Sequence, residues 1–191
     1  MNNNSKTLTD IFNLFEDCPE LLKIYLDKAI DIFLKKESCL LKKGLHERAI
    51  THRLAVYIEW LFGQWFDVDC EYNGNEEHES GRKVIENIYN KYNERTNFNT
   101  NHNEVSVYPD IIVHRRKVNK FNLLIVEVKK INSSNTSDIE WDIYKLKQYT
   151  SRGNGSLNYK YGVFIGFYVC EKFNEKPLIK WFTNGEELIM E

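Results

Sequence analysis

The chain of 191 residues contains no apolar run approaching the roughly 20 residues that a membrane-spanning helix requires. Its N-terminus, MNNNSKTLTD, lacks the apolar core of a secretory signal, which points to the cytoplasm. Cysteine is scarce and scattered: Cys18, Cys39, Cys70 and Cys170 form no CxxC pair, so reduced thiols are expected and a zinc site is not. The formal net charge is only -2, so any case for nucleic acid must come from a local patch. There is no internal repeat and no linker rich in proline, glycine and serine. The glycines of SRGNGSLN, 151–158, lack the lysine and hydroxyl residue of a nucleotide-phosphate loop, and the segment reads as a helix-to-strand connection. His46 and His52 are six apart, which excludes an HExxH zinc pair.

What is present suits one folded domain over 1–191. Hydrophobic residues make up 42% of the chain and aromatics 14%, enough for a sizeable core. Residues 7–36 read as helix, split at Pro19, with Leu22, Leu26, Ala29, Ile30 and Phe33 on one stripe. Residues 45–62 form a second amphipathic helix through Ile50, Leu54, Ile58 and Leu61. Strands follow at 66–72, in the two halves of 107–130, at 159–170 and at 178–184. A helix over 139–149, with Ser137 or Asp138 as its cap, separates the middle strands from the last two. The polar stretch 73–103 reads as an insertion or surface arm, with a short helix at 84–92 through Val84, Ile85, Ile88 and Tyr92. Residues 1–44 form an N-terminal helical extension. The order predicts an α/β domain: a central mixed sheet of about five strands flanked by helices. Trp60, Trp65, Trp141 and Trp181 are expected in the core.

The chemistry concentrates in VYPDIIVHRRKVNKFNLLIVEVKK, 107–130. It reads as two apolar strands, yet carries Asp110, Glu127 and Lys129. A turn centred on Val118 and Asn119 sets Asp110 opposite Glu127, with Cβ atoms about 5 Å apart, and Lys129 emerges on the same face as Glu127. Two facing carboxylates repel unless a cation sits between them. One ammonium does not balance both, whereas a hard divalent cation such as Mg²⁺ favours this kind of oxygen site. Glu47 lies on the buried stripe of its helix near the N-terminal end, where an acid either needs a partner or simply answers the helix dipole. The basic run HRRKVNK, 114–120, reads as a solvated turn or a phosphate-backbone contact that Lys130, Lys145, Lys147 and Lys160 would extend.

Pro109-Asp110, sixteen residues, then Glu127-Val128-Lys129, with Glu47 on an upstream helix, resembles the motif of the PD-(D/E)XK nuclease superfamily, of restriction-endonuclease-like fold. The resemblance covers roughly 45–170. It implies a metal-dependent nuclease hydrolysing phosphodiester bonds, DNA over RNA, of a kind used in restriction or defence against foreign DNA. It further implies that Asp110, Glu127 and the Val128 carbonyl bind Mg²⁺ or Mn²⁺. Lys129 would position or activate water, and Glu47 would hold a metal or orient Lys129. A homodimer or a partner protein would complete some such enzymes. Some relatives carry a glutamine and a tyrosine four apart on the next helix; here Gln148 and Tyr149 are adjacent, and Lys145 has that spacing to Tyr149. Lys145 is therefore a candidate phosphate contact. Two other readings stay open: a non-catalytic binding module of the same fold, and a structural ion-pair network pairing Lys129 with Asp110 or Glu127.

Overall fold

The computed structural model describes residues 6–75, 78–86, 104–153 and 156–190. Helix α1, Leu8–Asp17, opens on a capping box in which Thr7 and Asp10 each accept the other's backbone N–H. Pro19 stands at the first position of α2, Pro19–Lys42, as its missing N–H allows. Helix α3, Glu47–Phe62, buries Ile50, Leu54, Ile58 and Phe62. The strands are β1 (Asp67–Cys70), β2 (Val84–Glu86), β3 (Glu104–Ser106), β4 (Ile111–His114), β5 (Leu124–Lys130), β6 (Tyr161–Phe167), β7 (Leu178–Thr183) and β8 (Glu186–Leu188). Helix α4, Thr136–Thr150, joins β5 to β6.

The expected mixed sheet is present, with six strands ordered β1-β4-β5-β6-β7-β8. Only the β5–β6 pair is parallel, which is why a helical crossover lies between them. Alternation along β5 splits the core in two. Leu124, Val126 and Val128 pack with the apolar stripes of α1, α2 and α3. Ile125, on the opposite face, packs with Leu146 and Tyr149 of α4. No helix among the described residues is long and apolar enough to cross a membrane.

Several expectations need correction. Val84–Glu86 is not helical; it pairs antiparallel with Glu104–Ser106, and 87–92 lie outside the described residues. Before it, Lys83 is buried, its backbone N–H donating to Asn73 and its ammonium to the Gly74 carbonyl, 4.5 Å from the Tyr72 ring centre. Burial holds that ammonium down at about 8. Asn135, not Ser137 or Asp138, caps α4. Trp181 is core, Trp65 and Trp141 are half-buried, and Trp60 is 61% exposed. The short edge strand β8 has no counterpart among the expected elements.

Candidate functional site

Strand β5 outruns its neighbour β4. Their ladder ends at Ile111 opposite Val126, so Asp110 stands one step beyond, opposite Glu127. The connection is not a tight turn: it includes a 3-10 turn at Asn119–Phe121. The register is nevertheless the expected one, because a ladder depends on the midpoint of a connection and not on its tightness.

Past the end of β4, the N–H groups of Val128 and Lys130 have no strand to meet. Carboxylates take its place. Asp110 Oδ2 accepts from Val128 N at 2.7 Å, and Glu47 Oε2 accepts from Lys130 N at 3.1 Å. A strand residue presents its N–H and its carbonyl on the same side, so the Val128 carbonyl opens beside Asp110. Glu47 reaches this edge because it is the first residue of α3, where negative charge also suits the helix terminus.

Glu127 and Lys129 project from the face that they share with Ile125, toward α4. An alternating chain of charges runs between them. Glu47 Oε1 lies 3.1 Å from Lys129 Nζ, which lies 3.0 Å from Asp142 Oδ2. Asp142 Oδ1 lies 3.0 Å from Lys145 Nζ, which lies 2.9 Å from Glu127 Oε1. Glu127 is 2% exposed and Asp142 4%. All the residues expected at the site (Glu47, Asp110, Glu127, Val128, Lys129 and Lys145) are therefore brought to one end of the sheet. Two pairings differ from expectation. Lys129 bridges Glu47 and Asp142 rather than neutralising Asp110 or Glu127, and Lys145, expected as a phosphate contact, is paired with Glu127 and Asp142. Asp142 is a site residue that the sequence reading missed.

The electrostatics follow from this crowding. Burial pushes the Asp110 carboxyl up to about 6, with Asp142 adding to the rise and the Val128 N–H, Lys145 and Lys129 opposing it. Burial also raises Glu127, helped by Asp110 and Asp142 and opposed by Lys145. Burial alone would lower both lysines, but Asp142 with Glu47, and Glu127 with Asp142, hold Lys129 and Lys145 firmly protonated. Burial and the nearby carboxylates raise the Tyr149 phenol as well.

Ionised Glu47, Asp110, Glu127 and Asp142 outnumber Lys129 and Lys145 by two charges. Lys130 does not correct this, since its ammonium turns to the carbonyls of Gly44 and Leu45. Glu127 Oε1 and Asp142 Oδ2 are buried at ion-pair distance from ammoniums, yet outside hydrogen-bond geometry. The donors are all hard oxygens, the carboxylates and the Val128 carbonyl on the edge that Asp110 caps. That set fits Mg²⁺ or Mn²⁺ bound by two carboxylates, a carbonyl and waters. Among the described residues, no three acids, histidines or cysteines form a ready-made metal cage.

The basic run is divided: Lys120 lines a cleft with Lys160 and Arg152, while the two arginines of the run are taken by acids. Arg115 and Arg116 pair with Asp67 and Asp69, and His114 is a buried strand residue 3.0 Å from Asp69. Lys147 pairs with Glu186 and Lys160 with Glu16. His52 is exposed, His46 caps α3, and the four cysteines are free.

No protein-family model, curated protein or solved structure matches the chain.

Proposed function

We propose that the protein is a metal-dependent nuclease of PD-(D/E)XK type, hydrolysing phosphodiester bonds in nucleic acid, DNA over RNA. The observation that carries this reading is the convergence of Asp110, Glu127, Lys129 and the Val128 carbonyl beside Glu47 and Asp142, four carboxyl groups to two ammoniums. Asp110, Glu127 and the Val128 carbonyl would hold Mg²⁺ or Mn²⁺. A metal bound there would acidify a water and offset charge on the scissile phosphate. Lys129 stays protonated between Glu47 and Asp142, so its role is to donate hydrogen bonds to that water or phosphate, not to remove a proton. Glu47 and Asp142 fix its direction. A role in restriction or defence, and a homodimer or partner protein that adds specificity, belong to this same proposal.

A second reading has a specific observation in its favour. The chain Glu47–Lys129–Asp142–Lys145–Glu127 alternates in sign throughout, as a structural network would. Metal binding separates the two. Thermal unfolding is measured with and without millimolar Mn²⁺ for the wild type and Asp110→Asn, alongside Mn²⁺-dependent cleavage of supercoiled plasmid and single-stranded oligonucleotide. A ligand specific to the folded state adds about 2.7 kcal/mol at a hundredfold excess over its Kd. The nuclease reading requires stabilisation and cleavage in the wild type and neither in the variant. Absence of any Mn²⁺ effect on the wild type, together with a metal-free Asp110→Asn less stable than the wild type, would instead favour the ion-pair network.

A further inference from the structure

Lys145 stands where a metal ion's charge would act. Its ammonium is 2.9 Å from Glu127 Oε1 and 3.0 Å from Asp142 Oδ1, and its side chain is largely buried. On the metal reading, Glu127 must give its oxygens to a divalent cation. A divalent cation and an ammonium on one carboxylate repel strongly in a site with little water. The geometry points to Lys145 as an internal counter-ion: it holds Glu127 in place before metal binds, then passes to a phosphate oxygen of the substrate. This inference rests on the proposed metal site.

The arrangement of partners gives the exchange a path. Lys145 has two tethers, and metal binding at Glu127 removes one. The other, Asp142, sits three residues earlier on α4 and stays with it as a pivot. Lys129 is differently placed, because its partners, Glu47 and Asp142, are not Glu127. Lys129 therefore keeps both contacts while Lys145 is released. A cation freed within reach of the metal site meets the one anionic group that the substrate brings, and an ammonium suits a phosphate as a point charge. The role differs from a fixed phosphate contact in one respect: Lys145 should oppose metal binding while assisting turnover.

Two measurements test this. The first is the Mn²⁺ concentration giving half-maximal thermal stabilisation at pH 8.0 for the wild type, Lys145→Gln and Lys145→Arg. Lys145→Gln should need at least tenfold less Mn²⁺, and Lys145→Arg should stay within about threefold of the wild type. The second needs no variant: lysine acylation mapped by mass spectrometry on the wild type, with and without saturating Mn²⁺. Lys145 should label several-fold faster with metal, and Lys129 should not change. Wild-type stabilisation by Mn²⁺ with an unchanged or weaker response in Lys145→Gln, or with unchanged Lys145 labelling, overturns the inference and leaves the metal site standing. A wild type indifferent to Mn²⁺ overturns both.

Discussion

Asp110→Asn should stabilise the metal-free protein at neutral and alkaline pH. An unpaired carboxyl has an ordinary value of 3.8, and burial raises this one to about 6. A raised carboxyl favours the folded state in its protonated form, so the sign is opposite to that of a salt-bridged acid. Below pH 3.8 the group is protonated in both states and contributes nothing. As pH rises toward 6 the unfolded chain ionises freely while the folded chain resists, and stability falls. Above about pH 6 the loss is complete, and the gap between 3.8 and about 6 corresponds to roughly 3 kcal/mol. Asparagine cannot ionise, yet its amide oxygen can still accept the Val128 N–H that Asp110 Oδ2 accepts at 2.7 Å. The raised value already includes that bond's preference for the carboxylate, so the net gain is the full gap, roughly 3 kcal/mol. For a chain of this length that is about 6–12 °C in Tm. Melts in EDTA from pH 4 to 8 should show the variant and the wild type converging at the acid end, separating progressively up to about pH 6 and keeping a constant gap above it. Saturating Mn²⁺ should close that gap, since the wild type alone gains a ligand. A variant less stable than the wild type in EDTA at pH 8 would refute the reasoning. It would mean that Lys145 and Lys129 hold the Asp110 carboxylate as a structural partner.

Glu47→Ala leaves the Lys130 N–H without its acceptor and the Lys129 ammonium with Asp142 alone, and urea denaturation should show a loss of about 1–3 kcal/mol that Glu47→Gln largely restores. Lys145→Ala strands buried Glu127 and Asp142, so in EDTA at pH 8 it should cost about 3–5 kcal/mol by the same method. Trp60→Ala, at an exposed site with an edge-on contact to Tyr57 and Lys36 over its ring, should cost about 0.5–1.5 kcal/mol, against about 3–5 kcal/mol for buried Trp181→Ala. Gly166→Ala would place a Cβ 2.4 Å from Ile131 Cγ2 beside Lys129 on the neighbouring strand, and should lower the Tm by an amount equivalent to about 1–3 kcal/mol.

The helices, the mixed sheet and the core of the site were legible because each is written in local periodicity. The period along α3 shows that Glu47 shares a face with Ile50 and Leu54, and alternation along β5 shows that Glu127 and Lys129 share a side. Strands β2 and β8 were not legible for a different reason. Val84–Glu86 is three residues long and owes its conformation to Glu104–Ser106, a partner twenty residues away, while its own spacing of apolar residues suits a helix turn equally well. Leu188 is held by Trp181 across β7 in the same way. Asp142 belongs to neither class. It precedes Leu146 by four residues and Tyr149 by seven, and both are fully buried. That is the argument that singles out Glu47, applied to another helix. An acid on an apolar stripe requires a cation facing it. Lys129 on the adjoining strand and Lys145 one turn along are cations that the same periodicities aim there. The sequence therefore held the evidence for two lysines shared among more acids than they can neutralise. What only the three-dimensional arrangement supplies is the division of labour, with Lys129 held by Glu47 and Asp142, and Lys145 held by Asp142 and Glu127.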